Sequence, residues 1–440
     1  MSTTVTALPG GRDRTAPGGV GTGHGTRLDR GLSAALIVLS ALPYFAVPLG
    51  ANTNLPLSSV VSVLLILRCA RHMPVMWTAL LVGAVPFLAS FVRMFVSPQP
   101  VLVSGSITWL VSTLPVAGAA AAVLFLGPRA IAWLSWTILL SAAFTLVQKY
   151  VFFDLFDTIP FESFYDLPGY ANVSDFSETF IMYVRRPFGL FPETSFMVGS
   201  LSLMAMALVV VVRHHQRTMT PRDVVALALV LWAVAISGSG AAVVVLGVVL
   251  IAAIAPYAVR RAWAAVLLVP LGLAGAVYVG VDVLQDRRES FNWSWADRGS
   301  SIVASVKYML SDPVAFLLGV GRGRSNELFL TGRMPLGDLQ HYNPLPDIYS
   351  VIGRVLLESG MVFGLALILV LSVLCLRSGG RNPLWLGACT LVVWLVVAGG
   401  TTSYDSAFWV WGIAGVCLGL ELSRSAHDPE LDPGTSPTPA

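Results

Sequence analysis

Apolar runs about as long as a bilayer is thick decide what this chain can be. They lie near 31–50, 53–69, 74–92, 101–126 and 130–152, then near 195–212, 223–238, 240–259, 262–281, 349–376, 383–400 and 405–421. A helix needs roughly 20 apolar residues to cross a membrane, and about twelve such runs leave little chain for a water-soluble core. Composition agrees, with 55% hydrophobic and 12% charged residues over 440 positions and a mean hydropathy of +0.76, against about 25% charged in an ordinary soluble domain. The expected fold class is an all-α polytopic membrane protein with about twelve transmembrane helices and two long outward-facing loops. Only Ser237-Gly238-Ser239-Gly240 separates the two runs between 223 and 259.

Residues 1–30, rich in Gly, Thr, Pro and Arg, and residues 422–440, rich in proline, read as disordered tails. No small-residue cleavage pattern follows the first apolar run, so a cleaved signal peptide is not expected. With the N-terminus placed inside, the short inner loops carry Arg68 and Arg71, Arg129, Arg213, Arg217 and Arg222, Arg260 and Arg261, and Arg377 and Arg381. Among the short outer loops only Arg93 is positive. That asymmetry predicts cytoplasmic N- and C-termini. The chain then divides into N-terminal membrane helices (31–152), a first long outer loop (153–194), central helices (195–281), a second long outer loop (282–348) and C-terminal helices (349–421). A net charge of +3 is too small to argue for nucleic acid, and no nucleic-acid partner is expected. Cys69, Cys375, Cys389 and Cys417 all fall in or beside apolar runs without CxxC spacing, so they read as small core residues.

Charge and aromatics gather in the two long loops, which makes them the place to look for function. The first ends in Arg185-Arg186-Pro187-Phe188-Gly189-Leu190-Phe191-Pro192-Glu193-Thr194-Ser195-Phe196, a turn-rich hinge opening an uninterrupted apolar run. Its prolines and glycine interrupt helix, and irregular backbone at a membrane must be buried in protein or line a wet cavity. Two readings are open: Arg185 and Arg186 belong to a site, or they anchor a helix end at the headgroups. Glu193 can cap the following helix, orient an arginine, or act as a base. The second loop holds Arg287, Arg288, Arg298, Lys307, Arg322, Arg324 and Arg333. Ile302, Val303, Val306, Met309 and Leu310 share one helical face between 300 and 310, with Lys307 on another, which predicts a helix lying along the membrane surface. Gly319, Gly321 and Gly323 interleave with Arg322 and Arg324 in a turn able to bring amides and guanidiniums to an anion.

Arginine suits phosphate, because its planar fork makes paired charge-assisted hydrogen bonds. Its clustering beside membrane helices points to a phosphate-bearing lipid, with Arg185, Arg186, Arg298, Arg322, Arg324 and Lys307 as candidate contacts. Of six histidines only His341, in Gln340-His341-Tyr342-Asn343-Pro344, faces outward on this topology. It is either a proton acceptor for an attacking hydroxyl or a loop histidine without chemistry. Arg354 and Glu358, four apart, are spaced to pair with each other on a helix face, and Asp405 reads as exposed.

These features together resemble the O-antigen polymerase and ligase superfamily of bacterial membrane glycosyltransferases. The resemblance rests on Arg186-Pro187-Phe188-Gly189-Leu190-Phe191-Pro192-Glu193-Thr194-Ser195, on Arg298 followed by a helix and Gly319-Val320-Gly321-Arg322-Gly323, and on Leu356-Leu357-Glu358-Ser359-Gly360 with Gly364 beyond it. It spans roughly residues 145–420. Two features depart from the family pattern: His341 stands far from Glu358, and Ser237-Gly238-Ser239-Gly240 lacks the arginine of the family's Ser-Arg-Gly step. The resemblance implies a polymerase joining polyprenyl-diphosphate-linked repeat units on the outer face of the membrane, with a lipid-linked glycan donor, a glycan acceptor, membrane lipid and other polysaccharide assembly proteins as partners. Arg186, Arg298 and one of Arg322 or Arg324 would hold the diphosphate, and His341 or Glu193 would take the acceptor proton. It implies no metal and no cofactor, in keeping with the lack of an outward Asp-x-Asp. The alternatives are ligase-like transfer of a finished glycan and, from another class, a transporter or flippase. The chain shows neither the internal repeat nor the mid-helix charge expected of a transporter.

Overall fold

The computed structural model describes residues 25–43, 45–50, 53–69, 73–96, 103–160, 185–191, 193–260, 293–321, 323–334, 348, 350–378, 384–400 and 408–425. Fourteen α-helices and one two-stranded hairpin are found among them. Helix α1 (Arg27–Leu39) leads through β1 (Ala46–Gly50) and β2 (Thr53–Pro56) to α2 (Leu57–Arg68), then α3 (Met73–Val96), α4 (Val103–Leu126) and α5 (Arg129–Val147), which runs on into a π-helical turn (Gln148–Phe153). Then come α6 (Thr194–His214), α7 (Pro221–Ala235) and α8 (Gly240–Arg260). Helices α9 (Trp293–Ser311), α10 (Pro313–Leu318) and α11 (Arg324–Leu330) follow, and α12 (Val351–Arg377), α13 (Leu384–Gly400) and α14 (Phe408–Ser425) complete the bundle.

Helix α6 is its axis. Every residue from Phe196 to Val212 is buried, as expected for a helix apolar on all sides, and α5, α7, α8, α13 and α14 surround it. Helix α5 keeps its small polar residues inward and large apolar ones outward. On α5, Trp133, Trp136, Leu140 and Val147 are exposed at helical spacing, whereas Ser135, Ser141, Thr145 and Gln148 are buried. An apolar exterior of this extent belongs in lipid. Lipid gives no hydrophobic drive for helix association, so close backbone packing must supply it. Gly415 and Gly419 of α14 do so, since a methyl on either would run into the carbonyls of Val116 and Ala120 on α4.

Among the described residues, three helices are long and apolar enough to cross a membrane: Arg129–Phe153, Thr194–His214 and Val351–Arg377. Leu57–Arg68, Val111–Leu126, Val244–Ile254 and Leu384–Gly400 are shorter apolar helices. The runs at 31–50 and 53–69 are not two full-length helices. Helix covers only 31–39 of the first and 57–68 of the second, and the pair is joined by a hairpin in which Val47 faces Leu55 and Pro48 faces Asn54. Pro43, Pro48 and Pro56 explain the difference, because proline ends a helix however apolar its neighbours are. The run at 262–281 lies outside the described residues.

Charges sort to the two ends of the bundle. At one end Asp29, in a capping box with Thr26 at the start of α1, pairs with Arg68 at the end of α2 (2.7 Å). There too Asp223, in the matching box with Thr220 on α7, accepts from Ser135 at 2.5 Å. Arg377 meets Glu421 at 3.2 Å, and Ser423 and Arg424 both reach the ring of His214 at 3.2 Å. Since α6 and α12 finish at that end, the hinge before α6, the α7–α8 break and the start of α12 share the opposite one.

Candidate functional site

The hinge is held by a residue that the motif did not contain. At the end of α5 the helix widens into a π-helical turn, a feature frequent at functional positions, and this carries Gln148 into the protein, fully buried. Its Oε1 accepts hydrogen bonds from the backbone N–H of Phe188 (2.9 Å) and of Gly189 (2.7 Å). The ring of Phe188 packs on Phe153 of the same turn, 6.0 Å between centroids. Gly189 has a left-handed φ of 61°, and a side chain there would meet Thr145 Oγ1 at 2.6 Å, so both conformation and space require glycine.

Arg185 and Arg186 diverge. Arg185 pairs with Asp157 at 2.7 Å, and both have positive φ, 50° and 53°. Arg186 is exposed, and its guanidinium lies over Gly238, where a Cβ would stand 3.3 Å from Nε. The break between α7 and α8 therefore makes a seat for Arg186. Glu193 adopts extended backbone at the N-cap of α6 without capping it through its side chain, and its carboxylate accepts from Ser195 Oγ.

The other two motifs dock on each other. Helix α12 breaks at Gly360, whose φ of 73° and ψ of 176° are not helical. In an unbroken helix the carbonyls of Leu357 and Glu358 would accept from the N–H groups four residues on. Here they accept instead from Val320 N–H (2.8 Å) and Gly321 N–H (2.9 Å). A Cβ on Gly319 would strike the Glu358 carbonyl, and one on Gly360 would strike the backbone of Gly319 and Leu317. Beneath this dock, Ala304, Met309, Ala315, Val320, Leu328 and Leu357 are among the residues of a small core of their own. Glu358, 3% exposed, accepts at long range from Ser325 Oγ (3.4 Å) and Gly323 N–H (3.5 Å). Arg354, also buried, reaches the carbonyl of Ile348 at 3.5 Å.

Arg324 opens α11 directly after the left-handed Gly323. Together with Arg93, from the last turn of α3, and Arg333 it lies within electrostatic range of Tyr308 on α9. Burial and the carboxylate of Asp312 hold the Tyr308 hydroxyl above its usual pKa, and the three arginines oppose that shift. Asp312 itself caps α10 by accepting from Val314 N–H (2.9 Å) and Ala315 N–H (3.1 Å). The surface helix is longer than 300–310 and spans Trp293–Ser311. Ile302, Val303, Val306 and Leu310 form an exposed apolar row along it, with Lys307 exposed as well, while Ser301, Ala304, Ser305 and Met309 face the protein. Arg298 falls in α9, with only its backbone described, and Arg322, His341 and Asp405 lie outside the described residues.

The structure thus joins the Gly-x-Gly turn to the Glu-x-Gly helix and seats Arg186 on the Ser237–Gly240 break. Gln148 and Arg93 are what the motifs left out. Each carries a faint signal, as a polar residue inside or at the end of an apolar run. Among the described residues no group of three His, Cys, Asp or Glu side chains could hold a metal ion, and the described cysteines are free thiols, three of them buried. The arrangement is chemically suited to an anion, since the Arg186 guanidinium stands on the Gly238 break and Arg93, Arg324 and Arg333 all lie within electrostatic range of Tyr308. No protein-family model matches the chain, and no curated protein matches it in sequence.

Proposed function

We propose that the chain is a membrane glycosyltransferase that joins polyprenyl-diphosphate-linked repeat units into a cell-surface polysaccharide on the outer face of the plasma membrane. One observation carries the reading: arginine-bearing motifs far apart in sequence are each built onto broken backbone at the same end of the bundle, Arg186 on Gly238 and Arg324 behind the turn docked at Gly360. That end is where a lipid-linked diphosphate would present its headgroup while its tail stays among apolar helices. The side chain missing at Gly238 leaves the room that the Arg186 guanidinium uses.

In this reading Arg186, Arg298 and Arg324 bind the diphosphate and stabilise the charge that grows on it as the acceptor hydroxyl displaces it from the anomeric carbon. His341 takes the proton of the acceptor hydroxyl, with Glu193, already accepting from Ser195, as the second choice. The test is reconstitution in proteoliposomes with lipid-linked oligosaccharide from the host, with product size read on a gel. A ladder in wild type that is lost in Arg186→Ala, Arg298→Ala and His341→Ala supports polymerisation. A single transferred species makes the protein a ligase, and labelled lipid that crosses the bilayer without a new glycosidic bond makes it a transporter.

A further inference from the structure

We infer that Gln148 is a positioning residue for Arg186: its buried carboxamide clasps the hinge so that the Arg186 guanidinium is presented on the α7–α8 break. The inference rests on the reading of Arg186 as a diphosphate contact. Two backbone N–H groups, of Phe188 and Gly189, converge on the one oxygen at 2.9 and 2.7 Å. The clasp therefore fixes the chain two and three residues beyond Arg186, on the stretch where Gly189 turns left-handed. The opposite flank is fixed by the Arg185–Asp157 pair, so Arg186 is held between two anchors, and Gln148 is the buried one. Its Nε2, by contrast, is buried and has no hydrogen-bond partner among the described residues. The position uses an acceptor and leaves its donor idle, although an unpaired buried donor is unfavourable. A residue that only filled space at the end of α5 would carry no such amide. The π-helical turn serves the same end, because widening the helix at Gln148 changes which side chain faces the hinge.

This geometry distinguishes two substitutions. Gln148→Glu keeps an oxygen acceptor at the same reach, whereas Gln148→Met keeps the volume and loses the acceptor. The test is binding of geranylgeranyl diphosphate to the detergent-solubilised full-length protein, together with hydrogen exchange at the Phe188 and Gly189 amides. Wild type, Gln148→Met, Gln148→Glu, Arg186→Ala and the Gln148→Met/Arg186→Ala double variant are compared. Gln148→Met is expected to speed exchange at both amides and to weaken binding about tenfold, with Gln148→Glu within about threefold of wild type. In the Arg186→Ala background Gln148→Met should weaken binding by less than about twofold, because it acts through the missing arginine. A merely structural role would instead multiply the two losses, and that result overturns the inference. So does a Gln148→Met variant that exchanges faster yet binds as wild type does. Wild type that binds no diphosphate overturns the reading of Arg186 itself, and with it the function proposed above.

Discussion

In the hinge, two backbone N–H groups meet a single side-chain oxygen, Gln148 Oε1, whereas in the turn at 319–321 two N–H groups each meet a main-chain carbonyl of α12. The first arrangement depends on one residue being present, and the second on side chains being absent. Both hold an arginine-bearing segment at the same end of the bundle. A side-chain clasp can be removed without moving the helices around it. A backbone dock cannot, because it supplies the hydrogen bonds that the break in α12 leaves open.

The comparison is broken most severely at Gly360. Gly360→Ala places a Cβ against the Gly319 and Leu317 backbone in a conformation essentially confined to glycine, with an expected loss of about 3 kcal/mol or more. Thermal unfolding of the purified protein in detergent measures it, and a variant as stable as wild type would show that the dock is dispensable. Gln148→Met leaves two buried N–H groups without an acceptor, for an expected loss of about 2 kcal/mol. The same unfolding experiment should rank it below Gly360→Ala, and the reverse order would contradict the distinction between clasp and dock.

Outside both motifs, the Asp29–Arg68 pair provides a reference. Hydrogen bonding to Arg68 lowers the pKa of Asp29 from 3.8 despite its burial. Its contribution is therefore complete above the ordinary carboxylate range and is lost as pH falls through the lowered value. Acid titration of unfolding should show that loss in wild type and not in Asp29→Asn, while both amides at the hinge stay protected. Arg186→Ala is expected to have the smallest effect on stability, within about 0.5 kcal/mol, since the side chain is exposed. A larger drop would make Arg186 a structural residue.

The sequence made the bundle legible and left the hairpin hidden for one reason. Hydropathy marks where chain can lie in lipid, but Pro43, Pro48 and Pro56 decide whether it can do so as a helix. The glycine motifs were legible because a backbone approach leaves a mark in sequence, the missing side chain. That Gly319 and Gly360 approach each other was not, since neither glycine specifies its partner. Gln148 was harder to see, because one amide in an apolar run looks the same whether it clasps a hinge or hydrogen-bonds within its own helix. The partners that Glu358 finds on the docked turn, Ser325 and Gly323, were likewise out of reach of helical spacing, which relates only residues of one helix.

The central claim is that hinge and turn serve one site, and the most direct test is a double-mutant cycle on glycan product formation with Arg186→Ala, Arg324→Ala and the pair. Groups acting as a unit on one transition state are not additive. Each single change should therefore cost about a hundredfold in rate, and the double little more. Losses that multiply, or an Arg324→Ala variant that makes the full ladder, would contradict a shared site.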